Sequence, residues 1–479
     1  MMKETSRFYS SLSLLVLLNA VVKPLWIFGI DRQVQNEVGV AAYGTYFSIL
    51  NLSFVLSFLL DWGLTIYYNR QSSAKDGIVA DHTSSFIFIK LLLALLYALI
   101  IFAVAYFSGV ERLDIVLYVV LIQILLSMFL FLRAGITSRQ WFRTDAWLSV
   151  LDKLMMVLLC GIFLYFPSWL GSISIERFLL LQIGSLLLSN LITFAILLVK
   201  KFNFSFRKQW PDLGIFKAAA PFAITVLLMS FHSRIDGFLL ERISSAEEAG
   251  KYAGAYRLLD AANMPGVLFA SFLMPYMARR WSEGLEIRTV ILNIRHFLLV
   301  TAIIFSAVVV FLAPWIQKTL YHHTDASSIE VMQYCLPAML GYSLVQVYGT
   351  VMTATGHIVA FSYITLVSVI INLVLNILLI PSSGAKGSCI AALASQGFCG
   401  IATTWYVSQK LKIGVDLRSC LIYIFIGGAV GGFLYAANEW PVNKILVIAG
   451  AGIMALAITF ATRLVDLKKW KQSVVTNNT

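Results

Sequence analysis

The sequence predicts an all-α polytopic membrane protein with about 14 transmembrane helices. Three observations carry that prediction. The 479 residues are 59% hydrophobic and only 13% charged. Apolar runs of about 20 residues, the length a helix needs to cross a bilayer core, recur along the whole chain. The runs are continuous rather than alternating in segments of about ten, which excludes a β-barrel and leaves helices that satisfy their own backbone amides in lipid.

Charged residues and Pro/Gly breaks divide the chain into spans at roughly 10–30, 40–68, 84–108, 115–135, 147–166, 176–199, 217–240, 250–278, 290–314, 330–354, 358–380, 386–409, 418–437 and 443–463. The first follows Lys3 and Arg7 but is long and lacks a small-residue cleavage site, so it is expected to stay on the protein. The second runs to the basic stop at Arg70. Spans three to six end at the inner linker KKFNFSFRKQWPDLG, residues 200–214. The thirteenth and fourteenth carry Gly427, Gly428, Gly431, Gly432, Gly450 and Gly452, which suit close helix packing or a groove for a lipid tail. Cys160, Cys335, Cys389, Cys399 and Cys420 all fall in spans, where cysteine behaves as a small apolar residue.

With the N-terminus inside, 23 of the 36 Lys and Arg lie in inner segments and eight in outer loops, so both termini are expected in the cytoplasm. The net charge of +12 then faces anionic lipid, with no call for nucleic acid. No loop exceeds about 20 residues, and there is no Walker A, H-E-x-x-H or nucleophile elbow. An ATP-driven pump and a hydrolase are thereby unsupported, and the chain is expected not to be an enzyme. His322-His323 with Asp325 resembles a metal site by composition only and reads as a solvated loop. No cofactor is expected.

An offset of 210 brings Asp31-Arg32 onto Glu241-Arg242, Glu37 onto Glu247, Gly44 onto Gly254, Tyr46 onto Tyr256 and Arg70 onto Arg280. The offset spans six helices, an even number, so the halves are expected to be parallel repeats. This gives an N-lobe of helices 1–6 at 1–200, a cytoplasmic linker at 201–216, a C-lobe of helices 7–12 at 217–411, helices 13–14 at 412–465 and a cytoplasmic tail at 466–479. Two lobes around a central interface suit an alternating-access transporter.

Charges inside the membrane cost about 2.5–3.5 kcal/mol each at a helix centre, so they mark cavities or partners. Lys23, Arg234 and Arg257 are each expected roughly 10 Å from the outer end of their helix at 1.5 Å per residue, as a basic patch that binds substrate. Snorkelling for Lys23, and a local pair for Arg257 with Asp260, are the plainer alternatives. Asp236, Asp260 and Asp61 are coupling or gating candidates. Lys90 and Lys153 read as snorkelling residues, with Arg133, Arg139 and Lys153 as secondary candidates at the inner mouth. His232 reads as a satisfied buried histidine.

Three stretches stand out: SRIDGFLLERISSAEEAGKYAGAYRLLDAANMPG, SFLLDWGLTIYYNRQ and INLVLNILLIPSSGAKGSCIAALASQ. They resemble the multidrug/oligosaccharidyl-lipid/polysaccharide flippase superfamily, and most of all its polysaccharide-transporter, O-antigen flippase-like branch. The resemblance implies two lobes in a V-shaped arrangement and a bacterial inner-membrane flippase for polyprenyl diphosphate-linked oligosaccharides, with a cationic central cavity. Related lipid II flippases carry basic residues on helices one and eight, which Lys23 and Arg257 match by placement. Lysine at position 23 is a point charge and cannot grip a diphosphate bidentately. The chain is further expected to be a monomer among membrane lipids, with polysaccharide assembly proteins as partners and H+, Na+ or the membrane potential as the drive. A lipid II flippase and a cation-coupled multidrug exporter are the competing readings.

Overall fold

The computed structural model describes residues 2–65, 68, 83–166, 171–200, 214–322, 324–413 and 416–464. Among them the chain is all-helical and makes fourteen traverses, as the apolar runs predict. Eleven helices are long and apolar enough to cross a membrane. The other traverses come from a broken helix, a helix with charges in its middle, and the second arm of a long hairpin. The chain divides into two compact units, Met1–Gly250 and Lys251–Thr479. The linker expected at 201–216 lies mostly outside the described residues. The division comes after it because the seventh traverse packs along the second.

In the first unit, α1 (Met2–Pro24) continues through a π-helical segment, Leu25–Asp31, into α2 (Arg32–Val38). Pro24 has no N–H to give, and the wider turn that follows lets the helix run on instead of ending. α3 (Val40–Val55) stops inside its apolar run. A 3-10 turn, Ser57–Leu60, follows, and then Asp61, Trp62 (φ 45°) and Gly63 (φ 80°) reverse the backbone twist. The single helix expected over 40–68 is therefore corrected to a broken one. Its cause is local: both carboxylate oxygens of Asp61 lie 3.3 Å from the Thr65 amide and cap a new turn, a role that an apolar window does not register.

Four helices follow: α4 (Thr83–Phe107), α5 (Leu113–Ser138), α6 (Phe142–Tyr165) and α7 (Ile175–Val199), and then α8 (Gly214–Ile243). α4 exposes Phe88, Leu91, Leu95 and Leu99, an apolar face of the kind that lipid covers. α8 lies against α3, and α9 (Ala246–Ser282) starts so close to α3 that a Cβ on Gly44 would sit 1.8 Å from the Ala246 carbonyl oxygen. Only glycine fits there.

The second unit holds the rest of α9, then α10 (Arg288–Leu320), α11 (Ala326–Cys335), a 3-10 turn Leu336–Ala338 and α12 (Met339–Ala354). Asp325 caps α11 through the Ser328 amide at 2.8 Å and pairs with Lys251 at 3.2 Å, so it is occupied structurally. α13 (Ile358–Leu411) is a hairpin of two arms that turn at Gly384 (φ 51°, ψ −133°). Between its arms the Ser388 hydroxyl donates to Asn376 Oδ1 at 2.7 Å, and the Asn372 amide donates to the Ser395 hydroxyl at 3.4 Å. These bonds tie the arms at positions that are fully buried.

Finally, α14 (Leu417–Ala437) packs on α10 and on α15 (Lys444–Ala461) through Val308, Leu312, Val430, Leu434 and Ala451. The expected glycine face is only partly used. Gly431 and Gly450 meet Phe311 and Phe433, whereas nothing lies close to Gly428, Gly432 or Gly452.

Candidate functional site: a charged cavity in the first unit

The break in the second traverse opens a cavity of about 570 Å³ within the first unit. Phe54, Phe58, Asp61 and Trp62 line it from the break, Gln123 and Arg133 from α5, Asp145 from α6, and Ala223 and Val226 from α8.

Lys90 of α4 fastens one wall. Its ammonium donates to Asp61 Oδ1 at 2.6 Å and to the Leu60 carbonyl at 3.2 Å, a carbonyl that the break leaves available. It also stands 5.7 Å from the centre of the Phe131 ring, and Thr65 donates its hydroxyl to the same carboxylate. Lys90 is 3% exposed, so the expectation that it snorkels is corrected. Lys90 is the buried member and Asp61 is 30% exposed, so it is the loss of Asp61 that leaves a charge dry, at a cost of about 3–5 kcal/mol.

A second pair also lines the cavity, where Arg133 Nε donates to Asp145 Oδ1 at 2.9 Å. Beside it lies a basic corner. Lys153 Nζ is 3.1 Å from Asp152 and 5.1 Å from the centre of the Trp26 ring, and Lys23 has Asp152, Lys153 and Arg133 as its electrostatic neighbours. Three cations against two carboxylates leave this corner with a net positive charge. Lys23 was expected near the outer end of its helix, level with Arg234 and Arg257. Because α1 runs on to Val38, Lys23 instead lies fifteen residues, about 22 Å, before the end of its traverse. It therefore joins Arg133 and Lys153.

The remaining sequence candidates divide between the two units. Arg234 stacks its guanidinium over Phe54, 5.2 Å from the ring centre, at the edge of the cavity. Asp236, two residues on, is 2% exposed within the first unit. Arg139 caps the end of α5 and is exposed. In the second unit, Arg257 is 6% exposed in α9 and Asp260 is half-buried one turn later. Sequence reasoning missed Trp62, Gln123 and Asp145. The signal for the first was present in the run Asp61-Trp62-Gly63, a capping residue and a glycine inside an apolar stretch.

Comparison with known proteins places the chain. The family model for polysaccharide biosynthesis proteins matches residues 10–281, and the MatE model matches residues 221–378. No curated protein sequence matches. Among solved structures, the chain is similar in fold to the lipid II flippase MurJ in an inward closed conformation (TM-score 0.69, 13% identity, 94% of this chain and 97% of that one). It is also similar to a transporter of the multidrug/oligosaccharidyl-lipid/polysaccharide superfamily from Pyrococcus furiosus (TM-score 0.60, 14% identity, 86% and 95%). A mutant Vibrio cholerae MATE transporter, VcmN, follows (TM-score 0.57, 17% identity, 85% and 98%). The family model covers more than half of the chain, and the fold agrees with it over nearly the whole length. The chain therefore belongs to the polysaccharide biosynthesis protein family and is a transporter of the multidrug/oligosaccharidyl-lipid/polysaccharide flippase superfamily.

Proposed function

We propose that the protein is a flippase that carries a polyprenyl diphosphate-linked oligosaccharide from the inner to the outer leaflet of the bacterial inner membrane, with both termini in the cytoplasm. One observation carries the reading: the net-positive corner of Lys23, Lys153 and Asp152 adjoins, through Arg133, a cavity large enough for a ligand. A lipid diphosphate bears about two negative charges that must cross a low-dielectric layer, and charge-assisted hydrogen bonds from Lys and Arg offset that cost. The family match supports a saccharide cargo. The reading also takes Asp236 or Asp260 as the carrier of a coupling ion, H+ or Na+.

A lipid II flippase would use the same chemistry on a different headgroup, and a multidrug exporter would take organic cations. Competition on purified protein separates them, with an undecaprenyl diphosphate oligosaccharide, lipid II and ethidium as ligands. The proposal expects the oligosaccharide lipid to displace the other two, with binding that weakens as salt rises. Preference for ethidium overturns it.

A further inference from the structure

A count of charge separates the Lys23 corner from the cavity beside it. Along the cavity each acid has its own base, Asp61 with Lys90 and Asp145 with Arg133. In the corner two lysines share one acid. Lys153 Nζ lies 3.1 Å from Asp152, and among the described residues Asp152 is also the one acid in the electrostatic surroundings of Lys23. Asp152 is 7% exposed, so little water screens it from either lysine.

The helices that carry these charges are tied to one another. Asn19, one turn before Lys23 on α1, is buried and donates to Ser149 Oγ at 2.8 Å, one turn before Lys153 on α6. Lys153 stands over the ring of Trp26, which stacks on Phe178 of α7 with 6.0 Å between ring centres. The Asp152 carbonyl accepts from the Ser185 hydroxyl of α7 at 2.7 Å. The spacing of the two lysines and the carboxylate is therefore set by the fold.

A carrier has to release what it binds, and a hold that is too firm stops the cycle. Lys23 and Lys153 together bring two positive charges, and a diphosphate brings about two negative ones. Without Asp152 the match would be complete, at a place where charges are weakly screened. With Asp152 present the bound state carries one negative charge in excess, and the headgroup is held less firmly. The same carboxylate gives the lysines a partner when no cargo is there, which offsets the cost of two cations side by side in the membrane.

We infer that Asp152 is a built-in counter-ion, which competes with the diphosphate of the cargo for Lys23 and Lys153 and so keeps the headgroup releasable. The inference rests on the flippase reading and adds to it an acid whose removal tightens binding and slows transport.

The test reads affinity and rate separately on the purified full-length protein. Titrations with farnesyl diphosphate, and with farnesol as the uncharged probe, compare the native protein, Asp152→Asn, and the double variant Asp152→Asn with Lys23→Gln. Asp152→Asn keeps the shape of the side chain and is expected to bind farnesyl diphosphate about tenfold more tightly, with farnesol unchanged. The double variant restores the native sum of charges and is expected to lose most of that gain. In proteoliposomes at saturating cargo, Asp152→Asn is expected to move a fluorescent undecaprenyl diphosphate oligosaccharide more slowly than the native protein. Equal or weaker diphosphate binding by Asp152→Asn overturns the inference, and so does a gain that farnesol shares or that the double variant keeps in full. Tighter binding with unslowed transport overturns it too. If neither the native protein nor Asp152→Asn binds farnesyl diphosphate, the flippase reading falls and the inference with it.

Discussion

A charged cavity in the first unit and a polar seam in the second use buried polarity differently. In the first, charges meet charges beside open space: Asp61, held by Lys90, and Asp145, held by Arg133, both line one cavity. In the second, a seam of neutral polar groups closes on itself: Asn372, Asn376, Ser388 and Ser395 interlock, fully buried, between the arms of α13. A seam that completes its own bonds fixes two helices against each other. Charges arranged around a void are in a position to receive a ligand.

The sharpest way to break this contrast is at Asp61. Asp61→Ala leaves Lys90 buried and unpaired, and is expected to cost about 3–5 kcal/mol of stability in detergent unfolding, with transport lost. Asp61→Leu combined with Lys90→Met should recover most of that stability without recovering transport. Recovery of both would make the pair a packing feature. Next is Arg133. Arg133→Ala is expected to weaken binding of the diphosphate headgroup roughly 10- to 100-fold, and Arg133→Lys to restore it only in part, since the planar fork is gone. Titration of a lipid diphosphate at low and high salt measures both.

Smaller effects are expected in the second unit. Ser388→Ala removes one bond of the α13 seam and should cost about 0.6–1.7 kcal/mol in unfolding, with cargo binding unchanged. Asp325→Ala removes a helix cap and should cost about 1 kcal/mol. Burial pushes the Asp325 carboxyl upward, but its bonds from Ser328 and the neighbouring Lys251 win and hold it below the usual range. Its contribution is therefore complete above the unfolded carboxylate value of about 3.9 and is lost as pH falls through the lower folded value. The difference between Asp325→Ala and the native protein should shrink as unfolding is repeated at lower pH.

The number and order of the helices were legible because a membrane span is a matter of length and apolarity, which a sequence displays directly. The turn of α13 was legible too, since proline, two serines and a glycine follow one another at 381–384. The break at Asp61-Trp62-Gly63 was hidden because all but two of its neighbours are apolar, and a window average absorbs one acid. Depth was misjudged for Lys23 because proline followed by an apolar stretch hid a π-helical continuation. The pairing of Lys90 with Asp61 joins residues 29 positions apart and exists only once α4 lies beside the broken helix. Basic residues could be found in the sequence, but the company they keep could not.

If a saccharide diphosphate lipid crosses the membrane by way of the first unit's charged cavity, proteoliposomes holding a fluorescent undecaprenyl diphosphate oligosaccharide will show it, as inner-leaflet label that moves to the outer leaflet and becomes open to an impermeant quencher added outside. Rapid loss of the protected fluorescence is expected with the native protein, and near-background loss with Arg133→Ala at equal reconstitution. Native protein no faster than empty liposomes, or Arg133→Ala as fast as native, would contradict it.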